Sequence, residues 1–446
     1  MPYQDTTKRA AGLSAGWKDV YSACHFRKKG VTMRHKFIRL FLSALAATAA
    51  LALSRPAAAQ GDPIRVGFLT VRTGPLAAGG KQMEEGILLF LKERNNTIAG
   101  RKVELIIADT GGNPAGARTK TQELVERNKV HVIIGPLAAF EAIAIDDYIR
   151  QTRTPIVSCS AAAEDLTQRK ASPWFARSAA SSAQPNHALG DYAAKTLGYK
   201  RVAIIADDFA YGHETAAGFQ RVFEDSGGKV VQKLWSPLAV PDYGTYIAQI
   251  KKDVDAVYAG FAGANGFRFL RQYKEYGMKI PVLGSMTTAD EGILKQMGDE
   301  AIGVVTGGWY AAGIDSPENA RFVAAVNKEY GTDPGYYTLG AYSAGALVEA
   351  AAKAVRGRVE DKEAFMKAIR NPGALKDPRG DWRMDEYGNP VMNIYIRKVE
   401  RKGGKLVNTV VKTYPQVSQF WTYDPKAFLA APVYSRDVPP SKNLEP

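Results

Sequence analysis

Cysteine is nearly missing from this sequence. Two occur in 446 residues, Cys24 and Cys159, too few for a disulfide framework, so stability has to come from the size of the core. Histidine is almost as scarce. Only His131, His187 and His213 fall beyond residue 59, far apart and without metal-ligand spacing, and neither a metal nor any other cofactor is expected. Gly79-Gly80 and Gly111-Gly112 lack a P-loop lysine and the dinucleotide-binding spacing. Asp381, Asp385 and Asn389 around Gly388 do not follow the calcium-loop order. Ala341-Tyr342-Ser343-Ala344-Gly345 lacks the first glycine of a nucleophile elbow and sits inside a helical pattern, so Ser343 reads as a packing residue and no enzyme activity is expected. No basic block interleaved with aromatics is present, which argues against nucleic acid as a partner.

What is present begins with charge. The net charge is +14, and residues 1–59 hold ten Lys/Arg against two Asp/Glu, or +8 of it. That segment reads as a leader. Met33-Arg34-His35-Lys36-Phe37-Ile38-Arg39 is a basic n-region, Leu40–Leu53 an apolar run too short to span a bilayer comfortably, and Ala57-Ala58-Ala59 a small-residue cleavage signal. A signal peptide over 33–59 is therefore expected, cleaved near Ala59 to leave a mature chain from Gln60. At 46% hydrophobic and 23% charged the composition is that of a soluble globular protein, and the length exceeds one core, so two or more domains are expected.

The stretch from Val130 to Thr167 is the most informative. A β-branched run, Val132–Ile134, stops at Gly135-Pro136. A helical pattern follows, with Phe140, Ala144 and Tyr148 on one face and Ile145 and Ile149 beside it. Ile156-Val157 then opens into Ser158-Cys159-Ser160-Ala161-Ala162-Ala163. Strand, helix, strand over this distance is a βαβ unit, so both strands run parallel and end on one edge of the sheet, where open α/β sheets take up ligands. Small residues there leave backbone N–H groups uncrowded and able to meet an anion. Strands at Ile64–Thr70 and Lys102–Ala108 precede this unit in the same rhythm, which restarts after Ser178 with Arg201–Ala206, Val230–Trp235, Asp255–Phe261, Ile280–Leu283 and Val304-Val305. From Ser316 the pattern turns helical. A hairpin around Gly403-Gly404 follows, and the proline-rich end shows no regular pattern, so it is expected to lie along the surface or be partly mobile.

Several stretches together resemble the exported substrate-binding proteins of branched-chain amino acid ABC transporters, the Leu/Ile/Val-binding family with the periplasmic binding protein type I fold. They are IRVGFLTVRTGP from Ile64, the VIIGP turn, Asp165-Leu166-Thr167, the DDFAYG loop at 207–212, the DAVYAGF strand and GAYSAGALVEAA at 340–351. The resemblance implies an α/β fold of two doubly wound parallel-sheet lobes joined by a three-strand hinge. Lobe one would comprise 60–180 and 312–380, lobe two 181–311 and 381–414, with a C-terminal extension at 415–446. Crossings are expected near Ser178–Gln184, Gly308–Ala312 and Pro378–Asp381. It further implies a monomer in the periplasm that closes on a small molecule and hands it to a membrane permease.

The family's site carries over residue by residue. The α-carboxylate positions correspond to Ala139, Ser160 and Ala162. The acidic residue that pairs the ligand's ammonium corresponds to Met286, and the aromatic over the ligand to Gly79. An uncharged Met286 cannot pair a buried ammonium, which disfavours an α-amino acid. Phe140, Phe209, Tyr211, Phe261, Met286 and Tyr337 would form an apolar, aromatic wall suited to a flat ring, with Gly79 and Ala139 making room. Two tyrosine hydroxyls could meet a phenol or methoxy group. Arg72 is a candidate counter-charge, with a solvated surface position as its alternative. The expected ligand is an aromatic carboxylate of the benzoate, hydroxybenzoate or phenylpropenoate kind, in the aromatic-acid-binding branch of the family. The alternatives are a branched-chain amino acid or small amide, a ligand sensor of the same fold, and a hydrolase using Ser343.

Overall fold

The computed structural model describes residues 61–445, so the leader and its cleavage point lie outside the described residues. In the first lobe β1 (Ile64–Thr70) leads through α1 (Ala77–Lys92) and the two-residue β2 (Thr97–Ile98) to β3 (Arg101–Asp109). Then follow α2 (Pro114–Gln122), β4 (Val132–Ile134), α3 (Ala139–Thr152), β5 (Ile156–Ser158) and β6 (Phe175–Arg177). They form a six-stranded sheet in the order β2-β3-β1-β4-β5-β6, parallel except at β2. Val132–Ile134 and Ile156–Ser158 are buried throughout, as strands must be when helices cover both faces of a parallel sheet. Helix α3 buries Glu141, Ala142, Ile145 and Ile149, while Phe140, Ala144 and Tyr148 are only half-buried. The stripe is thus rotated from the one the sequence suggests, because the carboxylate of Glu141 is drawn inward.

The second lobe repeats the rhythm. Helix α4 (Gln184–Lys195), β7 (Arg201–Asp207), α5 (Ala210–Asp225), β8 (Lys229–Ser236), α6 (Gly244–Gln249), β9 (Ala256–Gly260), α7 (Asn265–Glu275), β10 (Val282–Ser285), the single turn α8 (Glu291–Leu294) and β11 (Val305–Gly308) follow in order. The chain then returns to the first lobe as α9 (Pro317–Tyr330), α10 (Tyr336–Ala354) and α11 (Lys362–Arg370). Ser316 starts α9 by accepting from the Asn319 N–H at 3.1 Å, with Pro317 at the first position. Helix α10 lies against α1 through two glycines. A Cβ at Gly86 would sit 2.1 Å from the Thr338 carbonyl oxygen, and one at Gly345 2.5 Å from the Phe90 ring. Neither gap would admit a methyl group.

Back in the second lobe, β12 (Ala374–Asp377), β13 (Gly380–Met384), β14 (Pro390–Lys402) and β15 (Lys405–Val417) are antiparallel additions. The sheet runs β12-β13-β14-β11-β10-β9-β7-β8, with β15 on β14. Ala374–Asp377 therefore pair in the larger sheet, although the sequence groups them with lobe one. The Pro378 signal marks the two-residue turn of the β12–β13 hairpin, where Asp377 faces Gly380, and the third chain crossing comes before β12.

Two of the crossings meet the β12–β13 turn at one buried guanidinium. Arg379 holds Asp377 through Nε at 3.0 Å and Nη2 at 2.7 Å, and donates from Nη1 to the Ser178 carbonyl. It lies 4.7 Å from the Trp309 ring centroid and 4.6 Å from that of Trp382. Ser343 Oγ and Trp382 Nε1 also donate to Asp377, at 2.7 and 3.1 Å. Ser343 is thus a fully committed packing residue inside α10.

The tail is not loose. Phe420, Phe428 and Tyr434 are buried against Ala183 and Ala217, with α12 (Pro425–Ala430) between them. Isolated aromatics among prolines gave no periodic signal; the segment runs along the surface as expected, anchored by these few rings.

Candidate ligand-binding site

Loops at the C-terminal ends of β1, β4 and β5 in one lobe and of β7, β9 and β10 in the other meet around a narrow cavity. Lobe one contributes Leu76, Leu137, Ala138, Ala139, Ser160, Ala162, Tyr336 and Tyr337, and lobe two Phe209, Tyr211, Ala262 and Thr287. No charged side chain is among them. The lobes touch around it: Ala264 N–H donates to the Pro75 carbonyl, Tyr336 N–H to Asp290 Oδ1 at 2.7 Å, and Glu164 N–H to the Glu214 carboxylate at 3.2 Å.

The lobe-one wall is built to present N–H groups. Helix α3 begins at Ala139, and the N–H groups of Ala139 and Phe140 have no acceptor among the described residues. Glu141 closes this turn by accepting from the Ala138 N–H at 2.9 Å and from Thr110 Oγ1. Burial outweighs those two donors and raises its carboxyl to about 7. The second strip, 160–163, is held from behind by the fully buried Arg177. Its Nη1 donates to the Ala161 carbonyl at 2.8 Å, Nη2 to the Ala163 carbonyl, and both Nε and Nη2 to Thr167 Oγ1. A trans peptide sets N–H opposite C=O. Turning the Ala161 carbonyl toward Arg177 therefore turns the Ala162 N–H away from it, on a residue that lines the cavity. Burial, and for Glu214 the neighbouring Glu164, raises the carboxyls of both glutamates behind this wall.

Aromatic rings supply much of the remaining surface. Phe209 stacks on Tyr211 with centroids 6.2 Å apart and takes the Phe140 ring at 5.5 Å and 72°. Tyr336 meets Tyr337 at 4.9 Å and Trp309 at 5.4 Å. Burial raises all three cavity phenols above the ordinary tyrosine range, so they stay protonated at neutral pH.

Of the residues singled out from the sequence, the fold brings Ala139, Ser160, Ala162, Phe209, Tyr211 and Tyr337 to this cavity. The other five lie elsewhere. Arg72 is half-exposed and paired in fork geometry with Glu84 at 2.8 and 2.9 Å, so its charge is already answered. Gly79 makes room for a neighbour, since a Cβ there would stand 2.8 Å from the Tyr337 ring. Phe140 backs Phe209 from behind. Phe261 is completely buried in the second lobe's core against Tyr243 and Phe269. Met286 packs on Gly308, where a Cβ would come within 2.9 Å of its sulfur, and its carbonyl accepts from Arg397 at 2.8 Å. The sequence reading passed over Leu76, Leu137, Ala138, Ala262, Thr287, Tyr336 and the backing Arg177. Arg177 had a signal: a lone cation ending the apolar run Phe175-Ala176. The others are ordinary residues in loops, legible only once the loops meet.

Two α/β lobes closed over a small, uncharged, aromatic-lined cavity define a ligand-binding protein of the two-lobed type. The chain belongs to the periplasmic binding protein family, whose model matches residues 63–405. It is a substrate-binding protein of an ABC transporter, a class that works outside the cytoplasmic membrane with a permease partner. Among curated relatives, a Leu/Ile/Val-binding protein homolog 6 from Brucella abortus is 28% identical over 381 residues, covering 83% of this chain and 96% of its own. A solute-binding protein from Rhodopseudomonas palustris BisB5, solved with 3,4-dihydroxybenzoic acid, is 34% identical with a TM-score of 0.77 over 80% of this chain and 99% of that one. Another from R. palustris, solved with 4-hydroxybenzoate, is 28% identical with a TM-score of 0.76 over the same shares.

Proposed function

We propose that this chain captures an aromatic carboxylate in the interlobe cavity and delivers it to the permease of an ABC importer. Benzoates, hydroxybenzoates and phenylpropenoates are the candidate ligands. The observation that carries the reading is the charge of the wall. Free amides of Ala139 and Ala162 offer donors to an anion, while no carboxylate lines the cavity to receive an ammonium. The nearby acids of lobe two are all taken. Glu291 holds Arg397 at 3.0 Å, Asp290 caps α10 at Tyr336, and Asp207 accepts from Ala262 N–H at 2.8 Å and Asn265 at 2.7 Å.

The ligands of the two R. palustris proteins agree with this reading. The names of the curated relatives favour a branched-chain amino acid instead, and the uncharged wall speaks against it. The carboxylate would rest on the amides, with Phe209, Tyr211, Tyr336 and Tyr337 about the ring. The leader at 33–59 would carry the chain to the periplasm, with cleavage near Ala59. Calorimetry with benzoate, 4-hydroxybenzoate and leucine tests the assignment: the acids should bind at least tenfold more tightly. Leucine binding more tightly than both acids would overturn it.

A further inference from the structure

The direction of the hydrogen bonds behind the cavity wall can be followed atom by atom. Thr287 Oγ1 lies 2.6 Å from the Phe261 carbonyl oxygen. A carbonyl only accepts, so the single Thr287 proton goes there. Tyr211 Oη lies 2.8 Å from Thr287 Oγ1, and with that proton committed Tyr211 must be the donor of the pair. The Tyr211 oxygen, which also lies beside the Ser285 hydroxyl, thus keeps lone pairs and has no proton to give, on a residue that lines the cavity. Tyr336 and Ser160 are in the same condition, donating to the Ser160 carbonyl at 2.7 Å and the Leu137 carbonyl at 2.9 Å.

Resting on the aromatic-acid reading above, we propose that Tyr211 is a specificity-determining residue that accepts a hydrogen bond from a ligand hydroxyl on the ring end facing lobe two. The same polarity disfavours a methoxy group there. Two oxygens, each with lone pairs and no proton, would face one another in a site closed to water. The sequence reading treated a phenol and a methoxy group as equivalent. The Tyr211–Thr287–Phe261 chain separates them.

The test is calorimetry of the exported chain with benzoates carrying hydroxyl, amino, methyl or methoxy groups at ring positions 3 and 4. At one of these positions hydroxyl should bind roughly tenfold more tightly than methyl, with amino between them and methoxy weakest. Thr287→Val removes the acceptor that orients Tyr211 and frees its proton, so the hydroxyl-over-methoxy ratio should fall by about tenfold. Tyr211→Phe should abolish the preference. Methyl or methoxy acids that match hydroxyl acids at both positions in the unaltered protein would overturn the assignment of Tyr211 while leaving the transport reading intact. If none of the acids binds, the aromatic-acid reading itself fails. Should either variant misfold, the ligand series on the unaltered protein still decides.

Discussion

The hinge and the cavity are both buried and both rich in aromatic rings, yet they treat charge in opposite ways. At the hinge the Arg379 guanidinium sits between Trp309 and Trp382 with no exposure, and Asp377, Ser343, Trp382 and Ser178 account for its hydrogen bonds and those of its partner. In the cavity the rings of Phe209, Tyr211, Tyr336 and Tyr337 surround space bounded by no charged side chain at all. A buried charge is tolerable where every donor and acceptor is answered within the protein, and that requirement fixes geometry. A binding wall has to leave groups unanswered, and backbone amides do so at far lower desolvation cost than an unpaired ion.

The difference can be broken from either side. Arg379→Ala should have the largest effect: it strands a buried Asp377 carboxylate and should cost about 3–5 kcal/mol of stability, read as a shift in denaturant midpoint. Double replacement of Arg379 and Asp377 by apolar residues should recover part of that loss. If the single and double variants are equally unstable, the cluster acts through packing rather than charge. The converse change, Ala162→Asp, puts a carboxylate into the uncharged wall beside the proposed anion. Binding of benzoate-type acids should weaken by about 2–5 kcal/mol, beyond detection in a calorimeter. Unchanged affinity would remove the carboxylate from lobe one.

A third prediction concerns pH. Burial lifts the Glu141 carboxyl from 4.5 and the Asp207 carboxyl from 3.8, each to about 7. Between those values the folded chain binds more protons than the unfolded one, so stability should fall as pH rises from about 5 to 7. Each group contributes at most about 1.4 kcal/mol per pH unit. Glu141→Gln should flatten the profile, and an unaltered slope would show that Glu141 does not contribute. The smallest effect is expected at Arg72→Ala. Its exposed pair with Glu84 is worth ~0–1 kcal/mol, and neither melting temperature nor ligand affinity should move appreciably. A tenfold loss of acid affinity there would return Arg72 to the site.

Unequal legibility follows the same division. Most strands of the two sheets' parallel parts announced themselves, because Val132–Ile134 or Ala256–Gly260 must be unbroken and apolar to lie between two helical layers, while the three-residue β6 did not. Ala139, Ser160 and Ala162 were legible for a related reason: they follow parallel strands, and such positions share one edge. Phe261 and Met286 stand at equally good positions in the chain and face inward instead. A single step along a loop reverses the direction of a side chain, and composition does not record it.

Sequence alone determined the alternation of strand and helix and the placing of small residues at the strand ends. Those are properties of local period and residue type. Tertiary structure alone decided which aromatics face the cavity, that Arg177 orients the second amide strip, that Arg379 ties two crossings to the β12–β13 turn, and which way the Tyr211 proton points. Each of these depends on atoms far apart in the chain coming within 3 to 5 Å, and the physics of such contacts is set by packing between elements rather than within them.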